Sequence, residues 1–213
     1  MSTTAFDSLV DWMVTQIQNT NLSRDPWPHR QVMEVLPDQF ASQLVREVFD
    51  SRLERARRDN GDKTYSFRTT RLQRNETADA PATSALLDAV DSPHYRSALS
   101  TAFDADVKSL VVRVDAWSYG EGDWLSPHVD KPEKKLTQIL YLSPDWVPEH
   151  GGHLALLRSA DAATTVKRIE PTYRSSVLFA PTENSWHAVE PPGTGQFRRK
   201  SITITYLSSD DHD

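Results

Sequence analysis

The side chains most able to do chemistry in this 213-residue chain lie between Leu125 and Tyr206. His128 and Asp130 stand two positions apart, and His187 follows in a turn-like segment before the last β-rich stretch. Alternate residues of an extended segment point to the same side, so His128 and Asp130 can face one cavity. Two imidazoles and one carboxylate form the three-ligand set of a non-haem iron site with open coordination positions.

The His-x-Asp pair alone is weak evidence for a metal site. The chain contains 7 histidines and 20 aspartates. A chain of this composition is therefore expected to contain roughly two-thirds of one His-x-Asp pair by chance. Taken singly, each of these side chains has the alternative of an ordinary hydrogen-bonded residue on the surface or in the core. The remaining histidines receive that ordinary interpretation: His29, His94, His150, His153 and His212.

A cation opens the uncharged β-rich segment that ends the predicted core. Arg199 precedes residues 201–206, and alternation along a strand sends Arg198 and Lys200 to the opposite face. An arginine offers a planar fork of donors that binds a carboxylate through two bonds. Arg199 is therefore the candidate anion-binding residue, with a plain surface cation at a strand start as the alternative.

Composition limits the class of protein. The chain has no cysteine, which excludes disulfides, zinc–thiolate sites and iron–sulfur clusters, so any metal must take nitrogen and oxygen ligands. A net charge of -6 argues against a nucleic-acid partner. The N-terminus shows no signal-peptide pattern, and no run of 18 apolar residues is present. We expect a cytoplasmic protein with no membrane partner, either a monomer or a homodimer.

The pattern of apolar residues predicts an α+β protein with a mainly β core. Amphipathic helices are expected at residues 5–19, 38–58, 83–90 and 95–103. The second of them ends in a basic cluster, Arg52, Arg55, Arg57 and Arg58, which suits the C-terminal end of a helix dipole. Strands are expected at residues 31–36, 64–70, 110–114, 138–142, 154–157, 175–179 and 201–206.

Helices followed by closely spaced strands predict helices packed on an antiparallel double-sheet barrel. We expect one domain over residues 1–213. Residues 1–105 would supply mainly helical support and elements on the substrate side, and residues 106–207 would form the catalytic β-rich core.

Residues from about 107 to 207 resemble the 2-oxoglutarate-dependent, non-haem iron(II) dioxygenases, specifically their prolyl-4-hydroxylase-like branch. The matching elements occur in the family's order: Tyr119-x-x-Gly122, Pro127-His128-Val129-Asp130, Ile139-Leu140-Tyr141-Leu142-x-x-x-Trp146, Gly151-Gly152-His153-Leu154, Pro171, Leu178-Phe179, His187-x-Val189 and Arg199-x-Ser201-Ile202-Thr203. The resemblance implies a double-stranded β-helix (a jelly roll, cupin-like) with supporting N-terminal helices. It also implies Fe(II), 2-oxoglutarate and O2 as cofactor and cosubstrates.

The resemblance assigns roles to particular residues. His128, Asp130 and His187 would bind iron and form the catalytic centre, and Arg199 would bind the C5 carboxylate of 2-oxoglutarate. Tyr141 stands where family members often supply a hydroxyl to the same carboxylate, with an aromatic core residue as the alternative. The carboxylate of Asp130 favours hydroxylation or desaturation over halogenation, because related halogenases have a small residue at that position.

The substrate is the least determined part of the prediction. Four aromatic residues near the motifs could form the walls of a substrate pocket, with packing as the alternative for each: Trp117, Tyr119, Trp124 and Trp186. A carboxylate of the substrate could be bound by Arg113, Arg68 or Arg71. We expect oxidation of an unactivated C–H bond in a small molecule, such as an amino acid or biosynthetic intermediate, with release of succinate and CO2. The alternatives are a side chain of a protein substrate, as in prolyl hydroxylases, and a non-catalytic β-barrel binding module.

Overall fold

A computed structural model describes residues 5–50 and 53–208, which leaves Arg52 and His212 outside the described residues. The four α-helices of this part of the chain are α1 Ala5–Gln18, α2 Asp38–Phe49, α3 Pro81–Asp91 and α4 Pro93–Phe103. Its strands are β1 His29–Val32, β2 Glu54–Arg58, β3 Tyr65–Arg71, β4 Val111–Tyr119, β5 Trp124–His128, β6 Lys134–Tyr141, β7 Leu154–Leu157, β8 Thr165–Ile169, β9 Ser176–Phe179, β10 His187–Val189 and β11 Arg199–Leu207.

The strands form a larger and a smaller antiparallel layer that share one strand. The larger layer has the order β1-β9-β6-β11-β4-β3, and the smaller one has the order β5-β10-β7-β8. Strand β3 joins them, because it pairs with β4 through Arg68–Arg71 and with β5 through Tyr65 and Ser66, while β2 covers its other edge. This arrangement is a double-stranded β-helix, as the sequence predicted.

Alternation along the larger layer separates the helical side from the inner side. On β11 the side chains of Ile202 and Ile204 join one buried cluster with helix residues such as Leu44 and Leu99. The odd-numbered positions of β4, β6 and β11 face inward, between the two layers. Side chains on a strand alternate between faces, so one nine-residue strand serves both the apolar core and the cavity.

The predicted helix over residues 38–58 is wrong in its second half. Helix α2 ends at Phe49, and Glu54–Arg58 forms β2, paired with β3 from Glu54↔Thr69 to Arg58↔Tyr65. The arginines of β2 occupy an exposed edge strand, where charged side chains discourage pairing with other chains. Arginine is a good helix former, but hydrogen bonding to a partner strand outweighs this weak local preference.

Several other boundaries also differ from the predictions. The strand expected at residues 31–36 begins earlier, at His29, and ends at Val32. The segment before the last strand, expected to be turn-like, contains the three-residue strand β10. Strands β1, β2 and β3 precede residue 105 and belong to the sheet. None of the described helices combines the length and apolar character that crossing a membrane requires.

Candidate functional site

The two layers hold the predicted metal ligands at one point. His128 ends β5, His187 begins β10, and the two residues are direct partners in the antiparallel pairing of these strands. One ligand atom from each of His128, Asp130 and His187 lies within 4.8 Å of the other two. The imidazole ring centroids are 4.2 Å apart, and His128 Nε2 lies 3.9 Å from Asp130 Oδ1. The three side chains could therefore hold a metal ion together.

Backbone carbonyl groups orient both imidazoles in the same way. His128 Nδ1 lies 2.9 Å from the carbonyl oxygen of Ser126, and His187 Nδ1 lies 2.9 Å from that of Ser185. A carbonyl oxygen only accepts, so Nδ1–H donates in each case and Nε2 keeps its lone pair. This tautomer is the one that binds a metal through Nε2, with the second ring nitrogen fixed by an outer partner.

Burial and neighbouring charges tune the three candidate ligands. Burial lowers the pKa of both His128 and His187, so the imidazoles are neutral near pH 7. Burial alone would raise the pKa of Asp130, but the charge of Lys134 and its hydrogen bond to the carboxylate hold it well below its ordinary value. Lys134 Nζ donates to Asp130 Oδ1 at 2.6 Å, and Thr137 Oγ1 donates to Oδ2 at 3.1 Å. Two neutral imidazoles and one carboxylate suit a divalent iron ion.

Arg199 lies in the same cavity and has unused hydrogen-bonding capacity. Its side chain is only 1% exposed, and its guanidinium lies 5.1 Å from the ring centroid of Tyr119 and 5.0 Å from that of Tyr141. Nη1 donates to Ser201 Oγ at 3.2 Å, but Nε and the hydroxyl of Tyr141 are buried and have no hydrogen-bond partner among the described residues. Buried polar atoms are normally paired, so these two are positioned to bind an anion such as a carboxylate.

The glycine pair at residues 151–152 makes room for this arginine. Gly152 has a φ of +72°, and a Cβ at this position would lie 3.2 Å from Arg199 Cδ. A larger residue would therefore be strained in its backbone and crowded against the arginine stem. The pair has a structural role, as the sequence indicated.

The neighbours of Arg199 point elsewhere, as alternation predicted. Arg198 donates to Ser118 Oγ at 2.7 Å and lies 3.4 Å from a carboxylate oxygen of Asp123. Lys200 Nζ lies 5.7 Å from the ring centroid of Phe49 in α2. Arg199 is thus the member of this basic triplet that faces the cavity.

The cavity between the layers has a volume of about 70 Å³. Trp117 and Tyr119 line it, as predicted for substrate-side aromatic residues, together with apolar side chains from both layers. The remaining lining residues are Lys63, Leu125, His128, Asp130, Lys134, Thr137, Ile139, Leu154, His187, Val189, Arg199, Ser201 and Thr203. Burial raises the pKa of Tyr119, so its hydroxyl stays protonated.

The structure leaves five of the predicted substrate residues outside this cavity: Trp124, Trp186, Arg68, Arg71 and Arg113. Trp186 directly precedes β10, is half-buried, and packs against a separate cluster that contains Ala155 and Leu157. Arg113 lies farther along β4, 3.0 Å from Asp115 Oδ2, and lines a separate groove with Arg71. Trp186 and Arg113 could therefore contact a substrate only where it extends beyond this cavity.

Sequence reasoning missed two lysines that line the cavity. Lys134 lies four positions after Asp130, a spacing that could have suggested the contact between them. Lys63 comes from the connection between β2 and β3, and no local pattern marks it. Burial and the nearby charge of Lys134 lower the pKa of Lys63 to about 8, although Asp130 opposes the shift.

The sequence matches one known family over its C-terminal half. Residues 114–207 match the family described as the 2OG-Fe(II) oxygenase superfamily. This segment contains all three candidate metal ligands and Arg199. No curated protein matches the sequence of the chain.

Solved structures share the fold over nearly the whole chain. A prolyl-4-hydroxylase from Pseudomonas putida is 19% identical, with a TM-score of 0.64 over 93% of this chain and 98% of that chain. A prolyl hydroxylase from Trichoplax adhaerens, in complex with a peptide fragment of hypoxia inducible factor, is 17% identical, with a TM-score of 0.66 over 95% of this chain and 90% of that chain. The epimerase SnoN from nogalamycin biosynthesis, a non-heme alpha ketoglutarate dependent enzyme, is 12% identical, with a TM-score of 0.57 over 94% of this chain and 83% of that chain.

Proposed function

We propose that this chain is a prolyl-4-hydroxylase-like member of the 2OG-Fe(II) oxygenase superfamily that uses Fe(II), 2-oxoglutarate and O2, and we propose a substrate class for it and a role for each site residue. The proposed reaction hydroxylates an unactivated C–H bond of a small molecule, such as an amino acid or biosynthetic intermediate. One oxygen atom of O2 enters the product as a hydroxyl group. The other enters succinate, which is released with CO2.

His128, Asp130 and His187 hold the iron in this proposal. The observation that carries it is their convergence within 4.8 Å, with both imidazoles in the tautomer that presents Nε2. The metal, when bound, supplies the oxygen activation that no protein side chain can provide. The protein contributes two neutral imidazoles and one carboxylate that are already close together and oriented, so these side chains need little reorganisation when the metal binds.

Arg199 and Tyr141 hold the distal carboxylate of 2-oxoglutarate. Arg199 Nε and the Tyr141 hydroxyl are buried donors that have no partner among the described residues, and a carboxylate would satisfy both. The rings of Tyr119 and Tyr141 flank the guanidinium and restrict its position. The cosubstrate would then extend from this anchor towards the metal ligands across the same cavity.

The cavity walls favour a small substrate. Trp117, Ile139, Leu154 and Val189 supply apolar surface that excludes water from the reacting C–H bond. A monomeric or homodimeric state and a cytoplasmic location stay predictions.

A prolyl or other side chain of a protein is the second candidate substrate. It is favoured by the fold shared with prolyl hydroxylases, one of which was solved with a bound peptide. A protein substrate would insert a single side chain into the cavity and keep its backbone outside. The family match favours an enzyme of either kind over the non-catalytic binding module.

A substrate screen tests the proposal. Small molecules and proline-containing peptides are incubated with Fe(II), 2-oxoglutarate and O2, and each reaction is analysed for succinate and for a product heavier by one oxygen atom. We expect both signals from a small molecule and neither from His128→Ala. Oxygen insertion into peptides alone would replace the small-molecule proposal with the protein-substrate alternative.

A further inference from the structure

Two lysines reach the cavity from different parts of the chain. Lys63 enters from the connection between β2 and β3, and Lys134 enters from the start of β6. Lys134 Nζ contacts Asp130 Oδ1 at 2.6 Å. Lys63 is half-buried, and within residues 5–50 and 53–208 its ammonium group has no hydrogen-bond or ion-pair partner. Lys63 and the three candidate metal ligands line the same cavity.

The contact between Lys134 and Asp130 cannot be kept unchanged when iron binds. The oxygen that Lys134 contacts, Asp130 Oδ1, lies 3.9 Å from His128 Nε2 and faces the position between the ligands. Lys134 and a metal ion would therefore share or compete for one carboxylate. A metal ion bound to the same oxygen would weaken the only ion pair that Lys134 makes within the described part of the chain.

The charges of the complete site do not balance. Fe(II) and the dianion of 2-oxoglutarate cancel, and both imidazoles are neutral. Arg199, Lys63 and Lys134 then contribute three positive charges, and Asp130 is the one carboxylate among the described lining residues. An excess of two positive charges remains in a partly enclosed space, where unpaired charge is costly.

We propose that Lys63 and Lys134 bind a negatively charged group of the substrate, a carboxylate or a phosphate, and so select a substrate with net negative charge. This inference rests on the proposed function and refines it. A zwitterionic amino acid has no net charge and leaves the excess uncompensated, whereas an acid or a phosphate ester removes part or all of it. Lys63 is the main selecting residue, because Lys134 also contacts a metal ligand.

The first experiment measures binding without turnover. Protein loaded with Mn(II) and 2-oxoglutarate under oxygen-free conditions is titrated by calorimetry with acetate, inorganic phosphate and neutral acetamide. We expect at least one anion to bind and acetamide not to bind. In Lys63→Gln the anion should bind about 10- to 100-fold more weakly, the effect of losing one charge-assisted hydrogen bond. Lys135→Gln is the matched control, since Lys135 is exposed and its Nζ donates to the carbonyl oxygen of Pro132.

The second experiment measures selection. Carboxylic acids paired with their carboxamides, and phosphate esters paired with their parent alcohols, are compared by succinate release and product mass. We expect the anionic member of a pair to react, with a raised KM in Lys63→Gln and in Lys134→Gln. Lys63→Glu should shift the preference towards the neutral member, which a merely structural lysine would not cause. A preference for the acid over its carboxamide would indicate a subsite for a carboxylate, and a preference for the ester over its alcohol would indicate a subsite for a phosphate.

The outcomes separate this inference from the function on which it rests. If 2-oxoglutarate binds the Mn(II)-loaded wild type but Lys63→Gln and wild type bind the anions equally, or neither binds them, the anion subsite is refuted and the oxygenase proposal stands. A preference of the wild type for carboxamides or alcohols would also refute the anion subsite and leave the oxygenase proposal standing. If 2-oxoglutarate itself fails to bind, both proposals fail.

Discussion

The guanidinium of Arg199 offers a test in which binding and stability should move in different directions. Arg199→Met keeps most of the aliphatic stem, which packs beside Gly152, and removes the buried donors. A hydrogen bond to a charged group contributes about 1.5–3 kcal/mol, so losing two of them costs about 3–6 kcal/mol. We therefore expect 2-oxoglutarate to bind about 10²- to 10⁴-fold more weakly.

The stability of the ligand-free protein should not fall in parallel. Arg199 is 1% exposed, its Nε has no hydrogen-bond partner, and among the described residues no carboxylate forms an ion pair with it. Removing a buried donor that lacks a partner relieves a desolvation penalty of about 1–3 kcal/mol. That gain offsets the packing lost with the guanidinium between Tyr119 and Tyr141. The free energy of unfolding should therefore stay level or rise.

The assay combines calorimetry of 2-oxoglutarate binding to Mn(II)-loaded protein with denaturant unfolding of the metal-free protein. Arg198→Met is the matched control, because Arg198 lies on the opposite face and bonds to Ser118 and Asp123. It should leave 2-oxoglutarate affinity unchanged and lower stability slightly. A larger loss of affinity in Arg198→Met than in Arg199→Met would show that the wrong cation was assigned to the cosubstrate.

Three further predictions address the ligands, the tyrosine and the buried histidines. Fe(II) and 2-oxoglutarate together should give the wild-type protein a weak visible absorption band in the absence of oxygen. His128→Ala should abolish this band, and the control variant His153→Ala should keep it. Retention of the band in both variants would refute the assigned triad. Tyr141→Phe removes a hydroxyl that has no partner, so 2-oxoglutarate affinity should fall about tenfold with little change in stability, and unchanged affinity would place the hydroxyl outside the binding site. Burial lowers the pKa of His29, His128 and His187 below 6.5, so the unfolded chain takes up protons first as the pH falls. The free energy of unfolding of the metal-free protein should therefore include the full contribution of these histidines above about pH 6.5. Below that pH it should decrease by up to about 1.4 kcal/mol per pH unit for each histidine. A free energy of unfolding that stays constant between pH 7 and pH 5 would contradict this prediction.

Strand alternation made much of the site predictable from sequence. The two-residue spacing of His128 and Asp130 implied a shared face, and both side chains do meet at one point. The same rule separated Arg199 from Arg198 and Lys200, because a period of two is a local property of an extended backbone. The helices α1, α3 and α4 were also close to their expected limits, since amphipathic periodicity and the Ser92-Pro93 break are local signals.

Pairing between distant segments was not predictable in the same way. Glu54–Arg58 is a strand because its backbone hydrogen-bonds to β3, and the arginine-rich sequence by itself favoured a helix. Trp117 and Trp186 looked equally suited to line a pocket, but only Trp117 does so. Which face of a strand becomes the inside depends on what packs against it, and that information lies elsewhere in the chain.

The sequence by itself thus predicted the candidate iron ligands, the candidate cosubstrate anchor and the jelly-roll core, because residue types at local spacings indicate them. Only the tertiary structure decided the electrostatic character of the cavity around them. Lys63 reaches the cavity because β3 joins the two layers and carries the preceding connection with it. A charge placed by long-range strand pairing leaves no local pattern, and this charge is the one from which we infer the kind of substrate.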